Sequence, residues 1–303
     1  MTFTSLVGHE AAKTFAKGFG GHALLLTGPE GVGRRALANW YSAYLNCQKP
    51  EVSRPCGACK SCTTPPDKHP DYREVIPQTT TTAGKRSRNP EIRIGELVER
   101  QGNTDQPLVS WLDTRPIYKR RVGVIDGAEH LTRSAANSFL KTLEEPPSCA
   151  MIILIAPSSS AIFSTIASRC TQIRLGPVDT SDFPEFNFLP GYRLGQIGPL
   201  LRARSNPQIA KDLTETISAL IDSLESGLSN SLELIDDLEN HWVTSHIDTF
   251  ANMREHLRAL PPNLYYEAVN ALNECEARLK NYGSPSLVFV ELILTLRKII
   301  RYK

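Results

Sequence analysis

Residues 24–45 constrain the fold more than any other stretch of this chain. Leu24, Leu25 and Leu26 form the apolar run of a buried strand, which feeds Gly28-Pro29-Glu30-Gly31-Val32-Gly33-Arg34-Arg35, and a helical pattern follows from Ala36 to Leu45. A strand that turns through glycines into a helix aims the first backbone amides of that helix at one point, the geometry that cradles phosphate. Gly28 and Gly33 stand at the spacing of a Walker A loop, with Gly31 between them. In such a loop a lysine reaches the β and γ phosphates and a Ser or Thr hydroxyl binds magnesium. Here Arg34 and Arg35 occupy those two positions. Arg34 keeps the charge but carries a planar fork in place of a compact ammonium. Arg35 removes a magnesium ligand and sets a cation beside a divalent cation; at an effective dielectric near 20, unit charges about 4 Å apart repel by roughly 4 kcal/mol. The loop is therefore expected to bind magnesium nucleotide poorly.

About ninety residues on, Val122-Gly123-Val124-Ile125-Asp126 has the pattern of a Walker B strand, in which Asp126 is the residue able to serve magnesium. The next position, which in working sites holds a water-polarising glutamate, is Gly127, and Glu129 stands two positions beyond it. Two separate defects in the catalytic apparatus predict a chain without hydrolysis of its own.

The first 176 residues alternate short apolar or β-branched runs with helical patterns, which predicts a parallel sheet covered by helices. The expected strands are 23–26, 72–76, 122–125, 151–155 and 172–175. Residues 79–89, with four consecutive threonines, a glycine and three basic residues, read as a flexible loop or short disordered insert. From about Pro177 the strand-like runs stop and amphipathic helical spacing continues to the end, with Pro261, Pro262 and the 283–285 stretch as punctuation. A small helical domain is expected at 177–220 and a helical bundle at 221–303.

Four of the seven cysteines crowd into 47–62: Cys47, Cys56, Cys59 and Cys62. Two Cys-x-x-Cys steps share Cys59, and Cys47 at the end of the phosphate-loop helix can return as a fourth ligand, giving the tetrahedral thiolate set that Zn2+ prefers; reduced unligated thiols or a redox pair are the alternatives. A closed four-sulfur site leaves no position for water, so the expected role is structural. Cys149, Cys170 and Cys275 read as core or interface residues, and His69 as a turn residue.

The net charge is +2, which excludes a globally basic nucleic-acid binder while leaving local patches at 85–88 and 119–121 as contact surfaces. No charged n-region with an apolar stretch opens the sequence, and no window holds the roughly 18 apolar residues of a membrane span. A cytoplasmic protein is expected.

The segment Leu131-Thr-Arg-Ser-Ala-Ala-Asn137-Ser-Phe-Leu140-Lys141-Thr142-Leu143-Glu144-Glu145-Pro146-Pro147, followed by Ser168-Arg169-Cys170, closely resembles the clamp-loader branch of the AAA+ ATPases in bacterial DNA polymerase III. The resemblance covers 1–176 by motif and the remainder by layout. It implies a RecA-like AAA+ domain with a zinc module at 47–62, a helical lid at 177–220 and an all-α collar at 221–303. It further implies a non-hydrolysing subunit in a hetero-pentamer with the gamma/tau ATPases and the delta subunit. Through that complex it would act on the sliding clamp and primer-template DNA in replication. Arg169 matches the family's arginine finger, which reaches the ATP of a neighbouring subunit; the alternative is a surface arginine paired with a carboxylate. Active relatives also carry a lid arginine where this chain has Ile209, in Ser205-Asn206-Pro207-Gln208-Ile209-Ala210. Two other readings stand beside this one. An active ATPase in which Arg34 replaces lysine would show magnesium-dependent turnover alone, and a zinc-bearing DNA-binding scaffold would show strong salt-dependent DNA affinity.

Overall fold

The computed structural model describes residues 6–80, 86–99, 106–178, 197–280 and 284–301. The chain divides into two compact units, Met1–Gly176 and Pro177–Lys303.

The first unit is built on five parallel strands in the order β2-β5-β6-β1-β7. They are β1 (Ala23–Thr27), β2 (Tyr72–Val75), β5 (Arg121–Asp126), β6 (Ala150–Ala156) and β7 (Thr171–Arg174). All five expected strands are present, each within a residue or two of its expected ends. The central three are buried along nearly their whole length, as a sheet covered on both faces requires. Alternate residues serve opposite cores. Leu24, Leu26, Val122, Val124 and Ile153 pack with Leu37, Ala38 and Tyr41, whereas Leu25, Ile125, Ile152 and Leu154 pack with Leu112, Ala135 and Phe139.

The helices of this unit are α1 (Glu10–Lys17), α2 (Arg34–Asn46), α3 (Lys60–Thr63), α4 (Ile94–Leu97), α5 (Leu108–Leu112), α6 (Arg133–Glu144) and α7 (Ser164–Ala167). Thr132 caps α6 by accepting from the Ala135 amide at 3.3 Å.

One expectation fails in this unit. Instead of a structureless insert, β3 (Gln78–Thr80) and β4 (Arg86–Glu91) pair antiparallel as a separate two-stranded ribbon. Thr79 and Thr80 favour extended backbone in β3, and β4, which holds no β-branched residue, is extended through its pairing with β3. Residues 81–85 lie outside the described residues.

The second unit is helical: α8 (Ile197–Ser205), α9 (Pro207–Ser226), α10 (Leu228–Glu233), α11 (Ile235–His256), α12 (Pro262–Lys280) and α13 (Pro285–Arg301). In α9 the buried Ala210, Leu213, Ile217, Leu220 and Leu224 recur at helical spacing, and in α13 Val288, Phe289, Leu292, Ile293, Leu296 and Ile300 do the same. Pro262 and Pro285 each open a helix, where a missing amide costs nothing. α9 runs unbroken across residues 220 and 221, so a domain boundary drawn there cuts a helix. Its apolar stripe continues to Leu224 and no breaker intervenes before Gly227. Most of the 177–192 segment lies outside the described residues. No helix among the described residues is long and apolar enough to cross a membrane.

Candidate functional site

β1 ends at Thr27 and the glycine loop carries the chain into α2, whose first residues are Arg34 and Arg35. Gly28 has φ +147°, and a Cβ there would lie 2.4 Å from the Leu175 carbonyl oxygen, so only glycine fits. Its amide donates to the Pro157 carbonyl at 3.1 Å, which anchors the loop to the end of β6. His9 Nε2 contacts the Val32 carbonyl at 2.8 Å and fixes the far side of the loop.

The residue at the magnesium-ligand position does something other than hold a metal. Arg35 donates a short hydrogen bond from Nη2 to Oε2 of Glu74, and its Nε lies 3.6 Å from Oδ2 of Asp126. Asp126 closes β5, and Glu74 sits on β2, the strand beside it in the sheet. Burial pushes both carboxyls above their ordinary values, and the Arg35 guanidinium opposes that rise at each. Arg34 adds a smaller stabilising charge at Asp126. The two carboxylates thus share a guanidinium as their counter-charge. Glu74 carries no sequence signal beyond being an acid inside an expected strand.

Gly127 stands where a water-polarising glutamate would be. With φ +89°, and with Pro77 Cγ 2.8 Å from where a Cβ would stand, the position rejects any side chain. Glu129 has Oε1 3.9 Å from His130 Nε2, while its Oε2 is buried without a hydrogen-bond partner among the described residues.

Arg169 lies in the turn between α7 and β7. Its Nε donates to Glu144 Oε1 at 2.8 Å, its Nη2 makes a short bond to the same oxygen, and its Nη1 donates to the Thr165 carbonyl at 2.8 Å. The side chain is one-third exposed. Burial pushes the neighbouring Cys170 thiol up to about 12, consistent with a packing role.

The cysteines converge. The Sγ atoms of Cys47, Cys56, Cys59 and Cys62 all lie within 4.8 Å of one another. A tetrahedron with metal–sulfur bonds of about 2.3 Å has edges of about 3.8 Å, so a small contraction closes the set around one ion. The donors are thiols alone, and the Cys59 amide donates to Cys56 Sγ at 3.3 Å. Cys47 and Cys62 are buried. The Ala58 and Cys59 amides lower the Cys56 thiol to about 6, favouring the thiolate a metal needs, while burial raises Cys62. The four cysteines can therefore hold a metal ion.

This cluster is fastened to the Walker B strand. Asn46, buried at the end of α2, accepts from the Lys119 and Arg120 amides at 3.1 and 2.9 Å and donates to the Arg120 carbonyl at 3.0 Å. Lys119 Nζ donates to the Cys47 carbonyl. His69 stands outside the sulfur set. Its Nδ1 accepts from the Asp71 amide at 3.1 Å, and its Nε2 lies 3.0 Å from Ser61 Oγ. Asp71, fully buried, accepts from the Ile117 and Tyr118 amides at 2.8 and 2.6 Å and pairs with Arg121 at 3.0 Å.

In the second unit Ile209 is half exposed on the first turn of α9. The cation nearby is Arg202, which pairs through two bonds of 2.9 and 2.7 Å with Asp248.

A parallel sheet in this strand order, a glycine loop after β1 and an aspartate ending β5 define a P-loop protein of the AAA+ class. Residues 8–179 match the family model described as DNA polymerase III, delta subunit, and the chain belongs to that family. Within it, the chain is similar to the delta' subunits of Pseudomonas aeruginosa and Haemophilus influenzae. The first is 36% identical over 152 residues, covering 50% of this chain and 42% of the relative. The second is 34% identical over 164 residues, covering 54% and 45%. The chain thus matches less than half the length of either. The tau/gamma subunit of Haemophilus influenzae is 30% identical over 190 residues, 61% of this chain and 25% of that protein. Among solved structures, a gamma subunit-related protein of DNA polymerase III from Thermotoga maritima superposes with a TM-score of 0.53 at 17% identity. That match covers 95% of this chain and 98% of the other, and it shows a shared fold.

Proposed function

We propose that this chain is a delta'-type subunit of a DNA polymerase III clamp loader that hydrolyses no ATP itself and donates Arg169 to ATP held by a neighbouring gamma/tau subunit. The single observation that carries the inactive half of this reading is the guanidinium of Arg35 between Glu74 and Asp126. A cation fixed there meets the electrostatic demand of both carboxylates and repels a magnesium ion. Gly127 adds a second obstacle, because the position that would carry the general base has no room for one.

The active half rests on Arg169, displayed at the end of the sheet domain on a turn held by α7 backbone bonds. A guanidinium delivered to the γ-phosphate of another subunit spreads positive charge over developing oxyanions, and such fingers contribute roughly 10³ to 10⁵ in rate in related reactions. The subunit's contribution would then be catalytic in trans.

In this reading zinc fills the four-cysteine site and contributes folding free energy by joining the insert to α2. Residues 177–303 supply a lid and an assembly collar, with the sliding clamp and primer-template DNA bound by the whole complex in the cytoplasm. The test is to assemble the chain with gamma/tau and delta and compare ATP turnover for wild type and Arg169→Ala. Loss of clamp- and DNA-stimulated turnover with assembly intact is expected. Equal rates would remove the finger assignment.

A further inference from the structure

Arg169 is paired with a carboxylate of its own chain, the alternative its sequence position allowed. The last residue of α6, Glu144, receives two of the three guanidinium nitrogens on one oxygen, Oε1, through Nε at 2.8 Å and through Nη2. The third nitrogen, Nη1, is directed to the Thr165 carbonyl at 2.8 Å. Arginine clasps a phosphate by presenting two parallel N–H bonds from one edge of its plane. In this conformation the Nε–Nη2 edge is committed to a carboxylate of its own chain, so the finger cannot offer that edge to a neighbour without leaving Glu144.

The pair is also built to be broken easily. The Arg169 side chain is 33% exposed and that of Glu144 is 50% exposed, so water screens the attraction and solvates both partners once they part. A nucleoside triphosphate carries more negative charge than one carboxylate and accepts through several oxygens. It can therefore outcompete Glu144 when brought within reach.

We propose that Glu144 is a latch for the arginine finger: it parks Arg169 in the unengaged subunit and yields it to the triphosphate of the adjoining subunit. Glu144 is thus a positioning residue, acting on the reaction only through Arg169. The proposal rests on reading Arg169 as a finger. It explains why an acid sits at the end of α6 facing the turn that carries the finger, where a neutral residue would leave the guanidinium free.

The test uses the assembled complex with gamma/tau and delta, and the isosteric change Glu144→Gln. Freed from competition, Arg169 engages neighbouring ATP more readily. Turnover at subsaturating ATP without clamp or DNA is expected to rise about two- to fivefold, the range an exposed ion pair supports. The gain should be smaller once clamp and DNA are present. It should vanish in an Arg169→Ala background, which a merely structural role for Glu144 would not produce. Glu145→Gln, removing the same charge one residue along, should give no gain. A fall in turnover for Glu144→Gln, an unchanged rate, a gain that persists without Arg169, or an equal gain from Glu145→Gln would each overturn the latch. Arg169→Ala alone separates the two claims: if it leaves stimulated turnover intact the finger fails, whereas a damaging Arg169→Ala with a silent Glu144→Gln removes only the latch.

Discussion

Replacing Arg35 by threonine restores the residue type a Walker A loop uses for magnesium and strips Glu74 and Asp126 of their counter-charge. At 3.6 Å and an effective dielectric near 20, the Arg35–Asp126 attraction alone is about 5 kcal/mol before solvation is counted. The Arg35 side chain is 54% exposed, so screening reduces the net worth of this contact to about 1 kcal/mol. Glu74 is the costlier loss. Its side chain is only 19% exposed and its Oε1 already lacks a hydrogen-bond partner among the described residues, so stranding the other oxygen adds roughly 1–3 kcal/mol. The variant should be destabilised by about 2–4 kcal/mol at neutral pH, or roughly 4–16 °C in Tm for a unit of this size.

The pH dependence has a defined sign. Burial holds the folded-state pKa of both carboxyls above its unfolded value, and loss of Arg35 raises it further. A carboxyl with a raised folded pKa favours folding below its unfolded pKa and loses that contribution as pH rises through the folded value. The Tm gap between Arg35→Thr and wild type should therefore be small near pH 4 and widen towards neutrality. Magnesium should narrow it in the variant alone, since two carboxylates and a hydroxyl form a hard-oxygen site. Thermal unfolding across that range, with magnesium or chelator, reads all three effects. A variant as stable as wild type at neutral pH, or a gap that ignores pH, would refute the counter-charge argument.

Two further outcomes follow from the cysteine region. Cys59→Ser removes one of four thiolates, so purified protein should lose zinc measured by elemental analysis and unfold at lower temperature; full metal content in the variant would contradict four-sulfur ligation. Burial pushes the folded-state pKa of His69 below its ordinary value, and the Asp71 charge only partly opposes this, so the fold favours the neutral ring. Its contribution is present above about pH 6.5 and lost as pH falls from there towards the folded value, so His69→Gln should flatten the stability profile in that window, and an unaltered slope would show that another group sets it.

How much of this was legible beforehand differs by element. The five sheet strands announce themselves because buried parallel strands are near-continuous apolar runs, as in Leu24-Leu25-Leu26 and Met151-Ile152-Ile153-Leu154-Ile155. Arg35 and Gly127 could be recognised as anomalies because motif spacing specifies which residue type each position needs. The partners that explain them could not be read. Glu74 reaches Arg35 across 39 residues and Glu144 reaches Arg169 across 25, contacts created by strand order and helix packing with no local signature. Asn46 and Lys119, which tie the cysteine cluster to β5, are likewise ordinary surface residue types until the fold brings residues 72 to 74 apart in sequence together. The β3–β4 ribbon has little local signature, because only Thr79 and Thr80 carry strand propensity and β4 is held extended by its partner.

The central claim, that a fixed guanidinium has replaced the metal at this phosphate loop, is tested most directly by calorimetric titration of the wild-type chain with magnesium ATP. The account predicts no saturable, magnesium-dependent binding tighter than about 1 mM. Saturable binding well below that concentration, lost on adding chelator, would contradict it.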